Sequence, residues 1–279
     1  MEELIALWRH LPSDMNPNLL EIGSFQLRYY SLMYLAAFAT TYFLVMYRIR
    51  REGYPYTADQ VQDFFVWAIF GVIFGGRLGY VLFYNLGYYL KHPLEIIFPF
   101  SFSNGFHFIG ISGMSFHGGA IAVLIAGIIF CRRRNIAIWR FADLICPSIP
   151  LGYTFGRIGN FINGELYGRA TTAPIGMFFP LAPDKLLRHP SQLYEAFFEG
   201  VFLFAVMWSI RKLRAPRGAM LGFYLMGYGL VRFFIEFYRE PDAHIGFVVG
   251  ALSMGQLLCA AMIAAGGLLV LGLKQRADA

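Results

Sequence analysis

The stretch Gly156-Arg-Ile-Gly-Asn-Phe-Ile-Asn-Gly-Glu-Leu-Tyr-Gly-Arg169 puts a guanidinium, a carboxylate and two carboxamides at the end of a hydrophobic run. A charged side chain at membrane depth is costly unless it is paired, so chains that place one there usually use it. Arg157 and Glu165 therefore need partners, and the chemistry they suggest is recognition of an anionic ligand. A second set lies in Gly227-Tyr-Gly-Leu-Val-Arg-Phe-Phe-Ile-Glu236, where Tyr228, Arg232 and Glu236 are spaced by four and share one helical face. Glu236 can fix the pose of Arg232 there. Arg239 continues the face, either as a headgroup anchor or as part of the chemistry. His117 sits beside Gly118 and Gly119 at the start of another apolar run. An imidazole titrating near neutral pH suits a proton acceptor, although a lone histidine is also an ordinary structural residue.

The elements that must position these groups are membrane spans. Of the 279 residues 57% are hydrophobic, 18% aromatic and only 14% charged, against roughly 25% charged in an average soluble domain. Reading apolar runs by length predicts an all-α polytopic membrane protein with seven transmembrane helices, at about 31–47, 62–86, 114–130, 141–161, 193–210, 219–237 and 251–273. One integral membrane domain, 1–279, is expected. The glycines Gly71, Gly75, Gly76 and Gly79, and Gly222, Gly227 and Gly229, read as helix packing faces. Cys131, Cys146 and Cys259 show no metal spacing and read as buried thiols. The acidic start Met1-Glu2-Glu3 does not resemble a cleaved leader.

The net charge of +6 is not a nucleic-acid signal, because the basic residues sit in short loops between apolar runs. Arg48, Arg50, Arg51, Arg132, Arg133, Arg134, Arg140, Arg211, Lys212, Arg214, Arg217, Lys274 and Arg276 follow spans one, three, five and seven. By the positive-inside rule the C-terminus is cytoplasmic and the N-terminus is outside. Arg77, Arg157 and Arg232 then fall late in outward-running spans, and Tyr30 and His117 early in inward-running ones. All five belong to the outer half of the membrane. The segment 87–113, with Tyr88, Tyr89, Phe98, Pro99, Phe100, Phe102, Phe106 and Phe108, suits an interfacial arm. The segment 162–192, with Pro174, Pro180, Pro183 and Pro190, suits a small external cap.

Four segments carry a resemblance: Met114-Ser-Phe-His-Gly-Gly119, the Gly156–Arg169 stretch, His189-Pro-Ser-Gln-Leu-Tyr-Glu195 and Gly227 to Asp242. In order, and extending from Tyr30-Ser-Leu-Met-Tyr34 to Ser253-Met-Gly-Gln256, the chain resembles the bacterial prolipoprotein diacylglyceryl transferases. The resemblance implies transfer of diacylglyceryl from phosphatidylglycerol to the thiol of a lipobox cysteine in a prolipoprotein signal peptide, releasing glycerol phosphate. It also implies a bacterial inner membrane location, with the site facing the outer leaflet. Ser31 stands where relatives commonly have Gly, which keeps the position small.

Displacing phosphate from a glycerol carbon with a thiolate requires binding of the phosphodiester, stabilisation of charge on the leaving phosphate and removal of the thiol proton. Arg157 is assigned to the phosphate. Its alternative is an arginine that pairs with Glu165 or Glu236 merely to hold helices together. Asn160 and Glu165 orient that arginine or bind glycerol hydroxyls, Gly168 permits close backbone approach, and Tyr30, Tyr228, Glu236 and Arg239 complete the binding set. Arg232 is read as the clamp on the developing charge, and the resemblance favours His117 as the base over a purely structural histidine. His189 shapes the junction of cap and span. Arg77 reads as structural or lipid-facing, without a partner evident in the sequence.

No metal or other cofactor is expected, since neither a Cys/His ligand cluster nor a Gly-rich phosphate loop is present. Two rivals use the same arginines. A transporter would favour paired repeats and interrupted spans at matching positions, and a lipid receptor would have no use for a base.

Overall fold

The computed structural model describes residues 2–22, 25–96, 100–101, 107–108, 113–240, 247–250 and 252–278. It is mostly helical, and four helices are long and apolar enough to cross a membrane: Tyr29–Glu52, Ala58–Tyr84, Ser191–Ile210 and Met254–Gln275. The other expected spans fall on helices that are shorter or broken. Contacts divide the chain into two compact units, 1–54 with 142–279, and 55–141.

The second unit is built on α3 (Ala58–Tyr84) and α5 (Phe116–Arg133). Thr57 opens α3 with a capping box: its hydroxyl accepts the Gln60 amide at 3.2 Å while the Gln60 side chain accepts the Thr57 amide at 3.1 Å. Ser115 caps α5 by accepting the Gly118 amide at 3.2 Å. The two helices meet along small residues, for a Cβ on Gly79 would stand 2.7 Å from the Gly118 Cα. This is the close approach that a glycine stripe permits. Phe64, Phe130 and Phe141 pack at one end of the unit, with Phe64 and Phe141 edge-to-face at 5.0 Å.

Arg77, the arginine without an obvious partner, is buried in this unit and finds backbone acceptors. It donates to the Ile96 carbonyl at 3.0 Å and the Glu95 carbonyl at 2.5 Å, under the Tyr89 ring. It thereby fastens α4 (Leu86–Lys91) and the 3₁₀ turn Pro93–Ile96 to α3. The rest of the expected arm is described only at β3 (Phe100–Ser101) and β4 (His107–Phe108), which pair antiparallel. Phe98, Pro99, Phe102 and Phe106 lie outside the described residues.

The first unit begins with a helix that span-counting does not predict, α1 (Glu2–Asp14), followed by the hairpin β1 (Asn18–Ile22) and β2 (Phe25–Arg28). Then come α2 (Tyr29–Glu52), α6 (Ile138–Ile145), α7 (Ile149–Ile162), α8 (Ser191–Glu195), α9 (Leu203–Ile210), α10 (Ala219–Ile235), the pair β5 (Phe247–Val249) and β6 (Leu252–Ser253), and α11 (Met254–Asp278). The expected span 141–161 is broken into α6 and α7 because Pro147 and Pro150 deny the helix two amide donors, and a 3₁₀ turn bridges the gap. A π-helical stretch, Ala196–Phe202, joins α8 to α9. Gly222 and Gly266 let α10 and α11 approach in the same way as α3 and α5.

Arg48 departs from its reading as a loop arginine. It is wholly buried, donating to the Asp143 and Leu144 carbonyls at 2.7 Å each and pairing with Glu52 at 2.8 Å. Glu52 also pairs with Arg211 at 2.8 Å, and the Asp143 carboxylate accepts the Gly218 and Met220 amides at the start of α10. Arg48 and Glu52 together thus tie α2, α6 and the end of α9 to one another.

Residues 163–190 fold over a small core of Phe161, Met177, Phe179 and Ala182, onto which Leu11 and Met15 pack. Gly164 and Leu166 take positive φ there, at 68° and 58°. Helix α1 is pinned to this cap by the Trp8 indole, which donates to the Ile175 carbonyl at 3.1 Å.

Candidate functional site

Arg157 projects from α7 one turn beyond Tyr153. Its Nε donates to the Tyr153 hydroxyl at 2.6 Å and lies 2.7 Å from Glu195 Oε2, while Nη1 donates to Asn160 Oδ1 at 3.3 Å. Asn160 passes the contact on, its Nδ2 donating to Glu165 Oε1 at 2.8 Å, and Asn163 reaches the same oxygen at 3.3 Å. Glu165 therefore sits two links from the arginine. The pairing of Arg157 with Glu165 or Glu236, weighed from the sequence, gives way to Glu195: the chain enters α8 beneath α7, and its first carboxylate arrives closer than either alternative.

On α10 Arg232 meets Glu236 at 3.1 Å, the pairing that a spacing of four implies. Its Nη1 also reaches Glu195 at 3.2 Å and Glu199 at 3.4 Å. Arg239, beyond the helix end, donates to Glu195 Oε1 at 2.7 Å and approaches Glu236 Oε2 at 3.5 Å. Three guanidiniums and three carboxylates thus form one lattice centred on Glu195, which touches all three arginines. Burying these charges costs much more than burying neutral groups, and only mutual pairing makes it tolerable. Glu195 and Glu199 are both 0% exposed.

Local backbone explains how two carboxylates four residues apart share this space. The π-helical stretch widens the turn after Glu195, and Thr154 Oγ1 of α7 donates to the Ala196 carbonyl at 3.2 Å. Gly200 lets Thr154 sit against it. Glu199 accepts a hydrogen bond from the Tyr153 hydroxyl, and the Tyr228 ring packs edge-on against Tyr153 at 5.9 Å. Glu236 is held from the far side by Ser253 Oγ, which donates to it at 3.1 Å, and a Cβ on Gly255 would stand 2.6 Å from its Oε1.

The lattice is closer in distance than in direction. Glu195 Oε2 and Glu236 Oε2 accept no aligned hydrogen bond among the described residues, although guanidinium nitrogens lie at 2.7 Å and 3.1 Å. Those oxygens are buried and are compensated by the charge of the guanidiniums rather than by an aligned hydrogen bond.

Tyr30 stands in the first turn of α2, its hydroxyl 3.1 Å from that of Tyr34 and its ring against Gly159 of α7. Gly168 makes its close approach to the chain itself: a Cβ there would stand 2.9 Å from the His189 carbonyl oxygen and would press on that of Tyr238. His189 spans the junction of cap and α8, its Nδ1 3.0 Å from the Tyr194 hydroxyl, and desolvation holds its imidazole below the ordinary histidine value. Arg188 pairs with Asp184 at 2.6 Å, which holds that carboxyl below the usual carboxylate range.

Of the residues singled out from the sequence, the structure brings together Arg157, Asn160, Glu165, Tyr228, Arg232, Glu236 and Arg239. His117 belongs to the other unit, where it lies exposed in the first turn of α5. Asp242, the end of the fourth motif, lies outside the described residues. Sequence reasoning missed Tyr153, Glu195, Glu199, Ser253 and Gly255. Glu195 and Glu199 carried a readable signal, two carboxylates inside an apolar run of 20 residues. Ser253 and Gly255 stood in a segment that carries the family resemblance, but they act through a neighbour's side chain and nothing in the residues themselves indicated that role.

The family profile described as prolipoprotein diacylglyceryl transferase matches residues 17–272. A protein of Chlorobaculum tepidum named phosphatidylglycerol–prolipoprotein diacylglyceryl transferase is 53% identical over 279 residues, covering 100% of this chain and 96% of its own. Proteins of the same name from Bordetella avium and Geobacter sulfurreducens are each 45% identical, the first over 94% of this chain and 96% of its own, the second over 88% and 90%.

Proposed function

The chain belongs to the prolipoprotein diacylglyceryl transferase family, and on that premise we propose that it transfers the diacylglyceryl group of phosphatidylglycerol to the lipobox cysteine of prolipoproteins. A carbon–sulfur bond forms at the glycerol carbon, the carbon–oxygen bond to phosphate breaks, and glycerol phosphate leaves. The observation that carries this reading is the buried lattice around Glu195, in which three arginines are held ready for an anion.

Arg157 binds the phosphodiester. Its Nε edge is engaged by Tyr153 and Glu195, and its Nη2 has no partner among the described residues, which leaves a directed donor for phosphate oxygen. Arg232 stabilises charge on the departing phosphate, restrained until then by Glu195, Glu199 and Glu236. Arg239 and Tyr228 border the same space. Asn160 and Glu165 orient Arg157 and Tyr30 lines the α2 side, while the role of base goes to His117 on the family resemblance alone.

The same reading places seven spans in the bacterial inner membrane, with the N-terminus outside, the C-terminus cytoplasmic, 162–192 as an external cap and 87–113 as an interfacial arm. The site then opens to the outer leaflet, where a prolipoprotein cysteine arrives after export. Support comes from the distribution of arginine and lysine and from the four spanning-length helices.

The purified full-length protein, incubated with phosphatidylglycerol vesicles and a lipobox peptide in EDTA, is expected to yield the thioether-linked diacylglyceryl peptide, seen as a mass shift. Peptide left unmodified while phosphatidylglycerol still binds would favour a lipid receptor instead.

A further inference from the structure

Arg239 touches Glu195 and Glu236 with its side chain, while its backbone pairs with the cap. Gly168 pairs with it in an antiparallel bridge, the Arg169 amide donates to the Tyr238 carbonyl at 2.9 Å, and Arg169 Nε donates to the Arg239 carbonyl at 2.7 Å. One side chain closes this pairing from the cap side. Arg188 Nη1 donates both to the Gly168 carbonyl at 3.1 Å and to the Glu240 carboxylate at 2.8 Å, so it bonds to one residue of the bridge and to the chain neighbour of the other. Its other edge is committed to Asp184 at 2.6 Å and its face to the Tyr167 ring at 5.0 Å. Arg188 is 7% exposed and fixed on four sides.

From this geometry we propose that Arg188 is a positioning residue for Arg239: it staples the cap strand Gly168–Arg169 to Tyr238–Glu240, so that the seating of the cap sets where Arg239 meets Glu195. The proposal rests on the reading above that the lattice around Glu195 handles the phosphate. If the staple is removed, Arg239 loses its backbone register while Glu195 and Glu236 keep Arg232. The shared carboxylates then redistribute between two arginines instead of three. The effect falls on the balance that lets Arg232 respond to leaving-group charge, and much less on Arg157, whose contacts with Tyr153, Asn160 and Glu195 lie on another element.

The required chemistry is a planar fork that holds Asp184 through Nε and Nη2 while Nη1 reaches a carbonyl and a second carboxylate, which lysine cannot reproduce. Gly168 fits the same device, since any side chain there would push the strand off Tyr238 and His189.

The test compares wild type with Arg188→Ala, Arg188→Lys and Glu240→Gln in full-length protein. It reads kcat, KM for phosphatidylglycerol, and hydrogen exchange of the peptides covering 166–170 and 237–240. Arg188→Ala is expected to lower kcat by about tenfold to a hundredfold, as a misplacement of about 1 Å does, with KM nearly unchanged and exchange faster in both peptides. Arg188→Lys should fall between, and Glu240→Gln, which keeps an acceptor, should lose least. Wild-type exchange with wild-type kcat in Arg188→Ala overturns the proposal, as does a rise in KM matching the loss of kcat. If Arg188→Ala does not fold, the same criteria apply to the other two variants. A wild-type protein that makes no thioether would instead overturn the proposed activity, and the exchange measurement would still decide whether Arg188 holds residues 237–240.

Discussion

Arg157 and Arg232 occupy one lattice but engage it differently. Arg157 can be removed while Glu195 keeps Arg232 and Arg239 as partners, so Arg157→Ala is expected to remain folded and lose activity. Arg157→Lys should recover little of it, because a point charge cannot hold Tyr153, Asn160 and a phosphate oxygen at once. Turnover near wild type in the lysine variant would show that charge alone suffices. Arg232, by contrast, is held by three carboxylates at 3.1 to 3.4 Å, none ideally short. Such an arrangement lets it strengthen a new contact only when charge builds on the leaving phosphate, and an interaction gained only in the transition state appears in rate more than in affinity. Phosphatidylglycerol binding measured beside single-turnover rate for Arg232→Ala checks this. Equal losses in both would make the two arginines a uniform binding pair. At this scale the arginines were legible because an isolated charge in an apolar run is conspicuous in one dimension. Glu195 was equally conspicuous, but its meaning depended on three elements converging on it, which spacing along one helix does not show.

Elements differ in how they are encoded. The apolar runs were readable because a helix that faces lipid needs a hydrophobic stretch of a given length, and the interruption at Pro147 and Pro150 follows from missing amide donors. Helix α1 escaped because its apolar residues, such as Leu4, Leu7, Trp8 and Leu11, recur at helical spacing amid charges, and it contains Pro12. The backbone pairing of the cap escaped for a different reason: it joins residues some 70 positions apart, and no local pattern announces such a contact. Yet the cap carries a readable pH dependence once folded. Desolvation lowers the His189 pKa from its ordinary 6.5, so the unfolded cap binds more protons than the folded one just below that value. Stability rises with pH under that condition. The cap should be fully stable above about pH 6.5 and loosen as pH falls below it, while the Asp184 contribution, lowered from 3.8, is lost only in stronger acid. Hydrogen-exchange protection across 163–190, corrected for the intrinsic exchange rate at pH 7.5 and at pH 5.5, reads the upper step. His189→Gln, which cannot titrate, should abolish the difference between the two conditions, and an unchanged difference would assign the step to another group.

At the scale of the whole molecule, orientation rests on where arginine and lysine accumulate, and the structure removes two of those residues from the count. Arg48 is buried against the Asp143 and Leu144 carbonyls and Arg211 is paired with Glu52, so both serve packing within the fold. The remaining basic residues after the first, third, fifth and last apolar runs, Arg50, Arg51, Arg132, Arg133, Arg134, Arg140, Lys212, Arg214, Arg217, Lys274 and Arg276, still outnumber those of the opposite side, Arg9, Arg28, Lys91, Arg169, Lys185, Arg188 and Arg239, so the expected orientation keeps its basis. It can be tested without redesigning the protein, because Cys131, Cys146 and Cys259 are all free and buried and give little background with a membrane-impermeant thiol reagent. Single cysteines at Lys185, on the exposed rim of the cap, and at Arg217, in the turn before α10, place one probe on each expected side. In intact cells Lys185→Cys should label and Arg217→Cys should not, while both should label once the inner membrane is opened. The opposite pattern would invert the protein, place the lattice around Glu195 toward the cytoplasmic leaflet, and deny it a cysteine that becomes available only after export.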